Sequence, residues 1–143
     1  MKDFVNTPLS LYAGLQDLKI IRSFVRHVAL RSGVDPCAVD EILLATTEAV
    51  TNILVHGYRG EVGWLEVQVR REGDNLLVVL RDEAIAFDPT QILAPDLTVP
   101  LEDRPLGGLG VHLIRESMSR MVYRPLPRGG NELTLIKEGV IKK

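Results

Sequence analysis

The sequence predicts a two-layer α+β sandwich, with helices on one face of a mainly antiparallel sheet. Three observations lead there. Two amphipathic helical segments come first, and a third follows a long irregular connection. The strand-like segments arrive as adjacent pairs, which favours hairpins. The alternation of strand and helix that builds a doubly wound parallel sheet is absent.

Each element has its own signal. From Leu15 to Ser32, Leu15, Leu18, Ile21, Val25, Val28 and Ala29 recur at three- and four-residue steps, so one stripe of a helix is apolar, and Gly33 is placed to stop it. A second helix restarts at "VDPCAVDEILL", with Asp35 as N-cap and Pro36 in the first turn, and Gly57 is expected to end it. "WLEVQVR" alternates Leu65, Val67 and Val69 with Glu66, Gln68 and Arg70, the pattern of a strand with one dry face. "EGDN" turns the chain, and the continuous apolar run Leu76 to Leu80 suits a more deeply buried central strand.

A stretch with Pro89, Pro95, Pro100 and Pro105 and no periodicity follows, long enough to be read as functional. "GGLGVHLIRESMSRM" becomes helical from about Gly110, with Leu113, Ile114, Ser117 and Met118 on one side. "MVYRPL", the turn "PRGGN" and "ELTLIK" close the chain as a hairpin. Residues 1–143 are expected to form a single domain, a size that buries a core without disulfides or metals.

Composition narrows the function. With 17 Lys and Arg against 19 Asp and Glu, no basic surface asks for nucleic acid or an anionic membrane. The lone cysteine, Cys37, excludes an internal disulfide framework and fits a reducing compartment. The start "MKDFVNTPLS" lacks the apolar core of a signal peptide, and no apolar run reaches membrane-spanning length, so a cytoplasmic location is expected. His27, His56 and His112 have no metal-ligand spacing, and neither G-x-S-x-G nor H-E-x-x-H occurs.

Three short stretches carry chemistry. Between Pro36 and Tyr58 there is no Lys or Arg, although an exposed helix face is ordinarily covered with both signs of charge. At about 100° per residue, Glu41, Ala45, Glu48, Asn52 and His56 share one stripe, opposite Ile42, Val50 and Ile53. Small neighbours and the missing cation suggest that this stripe faces a ligand; a plain amphipathic helix is the alternative. "GGLG" at Gly107 to Gly110 leads into a helix, where glycine amides and the helix dipole suit a phosphate, or simply a flexible loop. It is neither a Walker loop nor a dinucleotide fingerprint. In "RDEAIAFDP", Asp82 sits just past the buried strand, as a turn former or as a ligand-binding acid.

In this order and spacing the pieces resemble the GHKL family of ATP-binding proteins, the histidine kinase-like ATPase superfamily, and specifically its anti-sigma-factor serine/threonine kinases. "TTEAVTNILVHGY" is similar to that family's N-box, "RDEAIAFDP" and "PLGGLGVHLIRESM" to its two glycine boxes, and "GGNELTLIK" to its closing strand. The resemblance spans roughly Leu15 to Lys137.

It implies the GHKL, or Bergerat, fold and ATP with Mg²⁺ as cofactors. Glu48 becomes the general base toward a protein serine, and Asn52 the Mg²⁺ ligand. Asp82 becomes the acceptor for the adenine amine, with Ala84 beside it. Gly107, Gly108, Leu109 and Gly110 line the phosphate lid, and Arg104 approaches the terminal phosphate. His56 is read as structural. The implied partners are a sigma factor and a STAS-type anti-anti-sigma antagonist in a partner-switching stress response, with a homodimer as the assembly.

Two departures bear on this. Ala84 stands where the family usually has glycine, followed by Ile85 and Ala86; an added methyl there could weaken or abolish ATP binding. Asn131 stands where many relatives in the wider superfamily have threonine. The rival function is therefore a partner-sequestering module without kinase activity.

Overall fold

The computed structural model describes residues 7–93, 96, 98–103 and 108–142. Five strands, β1 (Leu9–Ala13), β2 (Gly63–Glu72), β3 (Asn75–Asp82), β4 (Arg120–Pro125) and β5 (Asn131–Lys137), form one antiparallel sheet in the order β1-β2-β3-β5-β4. Three helices, α1 (Leu18–Arg31), α2 (Pro36–Asn52) and α3 (Gly108–Ser117), make the second layer.

Local chemistry sets the helix boundaries. The Asp35 carboxylate accepts the Cys37 N–H at 2.9 Å, with Pro36 at the start of α2 as expected. Helix α1 begins three residues later than its periodicity suggested, because Leu15–Asp17 form a 3₁₀ turn. Gly33, at φ +93°, then turns the chain away. Helix α3 starts at Gly108, two residues before the expected position.

Period-two alternation places the core. Leu65, Val67 and Val69 of β2 face the helices and are buried, together with Leu76, Val78 and Leu80 of β3 and Leu133 and Leu135 of β5. They pack against Ile21, Val25 and Val28 of α1 and Ile42, Leu43 and Val50 of α2. Extending the same alternation to the strand ends brings Asp82 and Asn131 onto the helix-facing side, where the register makes them partners. On the opposite face a charge ladder crosses four strands: Arg81 contacts Glu66 at 2.6 Å and Glu132 at 2.8 Å, and Arg124 contacts Glu132 at 2.9 Å. Burial raises the Glu132 pKa, but hydrogen bonds from Arg124 and Arg81 outweigh it and hold the carboxyl below its ordinary range.

Two elements depart from the sequence expectation. Strand β1 had no counterpart in it; Leu9, Leu11 and Ala13 alternate toward the core along the β2 edge. Gly57 is the last residue of the helical run, as expected, but the last turn is not α-helical. After Asn52 the helix widens into a π turn, Ile53–Gly57, closed by the Tyr58 N–H on the Ile53 carbonyl at 2.9 Å. The positive φ angles fall later, at Arg59 (55°) and Gly60 (83°). Among the described residues, no helix is long and apolar enough to cross a membrane.

Candidate nucleotide site

Helix α2, the π turn, the ends of β3 and β5, and α3 enclose a cavity of ≈ 210 Å³. Ala49, Ile53 and Gly57 form one wall; Ala84 to Phe87, just past β3, form another; Ile114 and Leu133 add further apolar surface. The lining is chiefly hydrocarbon with a few polar groups, the character of a site for a flat, partly apolar ligand.

Asp82 is the buried acid of this cavity. It is the last residue of β3, only 2% exposed, rather than a turn residue beyond the strand. Its Oδ1 accepts the Ala84 N–H at 2.9 Å and the Asn131 side-chain amide at 2.9 Å. Among the described residues no donor reaches Oδ2. Burial pushes the Asp82 pKa up, partly offset by those two donors. The result is a dry carboxyl with one oxygen fixed and the other free to accept from a ligand amine.

Asn131 fixes that carboxyl and is itself fixed. Its Oδ1 accepts the Phe87 N–H at 3.0 Å and the Tyr123 hydroxyl at 2.6 Å, which sets the amide so that Nδ2 faces Asp82. Asparagine thus supports the acid where threonine was the family expectation. Tyr123, inward-facing on β4, carried only the weak signal of alternation in "MVYRPL".

Ala84 sits in the cavity wall without a positive φ, so its backbone does not demand glycine. Its neighbour Glu83 is held from below: the Glu83 N–H donates to the Tyr58 hydroxyl at 2.7 Å, and that hydroxyl donates to the Trp64 carbonyl at 2.6 Å. Nothing in the sequence singled out Tyr58, because both of its partners are backbone atoms, which carry no side-chain signal.

Glu48 and Asn52 lie half-buried on α2, and the first turn of α3 covers them. A Cβ placed on Gly110 would stand 3.2 Å from Glu48 Oε2 and 3.4 Å from the Asn52 amide atoms. Glu48 and Asn52 therefore face a glycine-bearing helix N-terminus, whereas Glu41 and His56 at the two ends of the stripe are exposed. Ala45 of the stripe is fully buried, and Glu41 finds its cation outside the segment, in Lys137 of β5 at 3.3 Å. His56 is exposed at the cavity mouth. Leu109 is 42% exposed beside the glycines, whereas Arg104 and Gly107 lie outside the described residues.

The donor set fits a nucleotide better than a resident metal. Among the described residues there is no group of three or more His, Cys, Asp or Glu able to hold a metal ion. A Mg²⁺ arriving with a triphosphate would need only one or two protein oxygens, and Asn52, which lines the cavity, carries a side-chain oxygen that could serve as one.

A buried acid at the end of an inner strand, an apolar slot beside it and a glycine-led helix N-terminus over a Glu and an Asn come together between the two layers of the sandwich. The chain belongs to the histidine kinase-like ATPase domain family, whose model matches residues 11–137. Serine-protein kinase RsbW of Bacillus cereus (strain AH187) is 29% identical over 122 residues, covering 82% of this chain and 76% of that protein. RsbW of Bacillus thuringiensis subsp. konkukian (strain 97-27) is 30% identical over the same shares. The fold is also that of a chain in the crystal structure of the SiaB-SiaC complex from Pseudomonas aeruginosa, with a TM-score of 0.56 at 16% identity, covering 92% of this chain and 88% of that one.

Proposed function

We propose that the protein is an ATP-dependent serine kinase of a partner-switching system, which binds a sigma factor and phosphorylates a serine of a STAS-type antagonist. The observation that carries this reading is Asp82: buried, one oxygen engaged, the other turned to an apolar cavity. That acceptor matches the exocyclic amine of adenine. The 6-oxo group of guanine would oppose one acceptor to another.

The residues divide the work. Asp82, with Asn131 behind it, orients the base. Asn52 holds Mg²⁺ when it arrives with the triphosphate, and the Gly108–Gly110 turn of α3 offers amides and the positive end of a helix dipole to the phosphates. Glu48, beside Asn52 and under Gly110, accepts the proton of the attacking serine hydroxyl. Arg104 and Gly107, outside the described residues, are assigned to phosphate contact by the family resemblance alone. The phosphate placed on the antagonist adds nearly two negative charges, and is either repelled from an acidic surface or fills space in a packed interface. A homodimer, a cytoplasmic setting and a single domain over residues 1–143, expected from the family resemblance and the composition, complete the proposal.

The test is direct. The purified protein is incubated with Mg·ATP and the STAS antagonist from its own genome, and phosphoserine is read by mass spectrometry. Stoichiometric phosphoserine supports the kinase; partner binding without any phosphoserine would leave a sequestering module.

A further inference from the structure

Gly57 raises a question that its backbone does not answer. Its φ is not in the left-handed region, and the residues that reverse the chain are Arg59 and Gly60. Helix-ending glycine is therefore not required there for conformational reasons. Its surroundings give a different reason: a Cβ placed on Gly57 would lie 2.8 Å from the Ala84 Cβ, closer than two carbons can approach. Position 57 must stay bare because the Ala84 methyl occupies the space.

Ala84 in turn touches the adenine-reading acid. Its N–H donates to Asp82 Oδ1 at 2.9 Å, and the preceding amide, of Glu83, is held by the Tyr58 hydroxyl at 2.7 Å. The turn Asp82-Glu83-Ala84 is thus anchored twice on consecutive residues of the π-turn exit, sterically at Gly57 and by a hydrogen bond at Tyr58. Both Gly57 and Ala84 line the cavity.

We propose that Gly57 is a positioning residue for nucleotide specificity: its missing side chain is the seat of the Ala84 methyl, and that seat keeps the Ala84 amide on Asp82. The family glycine at position 84 needs no seat; alanine does, and the open π turn supplies it. This inference rests on the reading of Asp82 as the base-recognising acid.

The experiment compares wild type, Gly57→Ala and Gly57→Ala/Ala84→Gly. Calorimetry measures affinity for Mg·ATP and Mg·ITP, the latter carrying a 6-oxo group in place of the amine. Hydrogen exchange of the residue 84 amide is followed without nucleotide. The expected result for Gly57→Ala is a loss of ATP affinity of about 10-fold or more, the worth of one charge-assisted hydrogen bond, and a collapse of the ATP-to-ITP ratio toward unity. The residue 84 amide becomes exposed to exchange, and the second substitution restores both ratio and protection. A lowered melting temperature with the ratio and the protection unchanged would overturn the seat, as would failure of Ala84→Gly to rescue. Absence of ATP binding in wild type would sink the kinase reading instead, and the exchange data would still decide whether Gly57 holds the Ala84 amide.

Discussion

The Asn131 side-chain amide donates to Asp82 Oδ1 at 2.9 Å between residues that are also register partners on β5 and β3. The support of the buried acid is therefore built into the sheet, not into a loop. Because Asn131 is locked by Tyr123 and by the Phe87 amide, the carboxyl cannot turn without disturbing three strands or turns at once.

Asp82→Asn is expected to separate binding from stability. An asparagine keeps an oxygen for Asn131 and Ala84 but puts an NH₂ where Oδ2 was, facing the adenine amine. ATP affinity should fall by at least the value of a charged hydrogen bond, about 1.5–3 kcal/mol, or roughly 10- to 150-fold. Stability should move the other way. Burial raises the folded-state pKa above the ordinary 3.8, so the folded form holds the proton more tightly than the unfolded chain. The stability linked to that proton is complete below about 3.8 and is lost as pH rises through the raised value. The stability of the variant relative to wild type should therefore increase with pH across that window, measured by urea unfolding at a series of pH values.

Asn131→Ala removes one donor and one acceptor that together serve Asp82, Phe87 and Tyr123. Leaving buried polar groups unpaired costs about 1–3 kcal/mol each, so a loss of about 2 kcal/mol or more is expected in denaturant unfolding, with ATP affinity falling as well. Normal ATP affinity in this variant would mean that the carboxyl needs no support from β5.

Much of this arrangement was legible in the sequence, for reasons that differ by element. The capping of α2 by Asp35 and Pro36, the alternation of β2 and the apolar run of β3 are local signals, and local chemistry decided them. Strand β1 was not legible because five residues at a sheet edge become a strand only by pairing with β2, more than fifty positions away. The π turn and the Gly57–Ala84 contact escaped for the same reason: each depends on what lies across the cavity. Asp82 fell between the two cases. Its place in the chain was plain, but its burial came from continuing the period of β3 one step past Arg81.

Tyr58→Phe tests the anchor under Glu83. The phenol both donates to the Trp64 carbonyl and accepts the Glu83 N–H, and burial raises its pKa. Removing the oxygen strips a partner from each, at an expected cost of about 1–3 kcal/mol in thermal or urea unfolding. ATP affinity should weaken less than in Asp82→Asn, because the Ala84 amide still reaches the acid; an equal loss in both variants would make Tyr58 the dominant support.

Glu48→Gln separates chemistry from binding. Glu48 does not line the cavity proposed for the base, and its Oε2 is the atom nearest to the position a Cβ on Gly110 would take, under the first turn of α3. A glutamine of the same shape preserves that packing but cannot take a proton. Transfer of phosphate to the antagonist serine should fall about 10²- to 10⁴-fold in single-turnover assays, the range a general base supplies. Mg·ATP affinity should remain within about threefold of wild type, since the change removes an interaction made only in the transition state and leaves uniform binding untouched. The two readouts must part company for the assignment to stand: parallel loss would make Glu48 a nucleotide ligand, and full activity would move the proton transfer to another group.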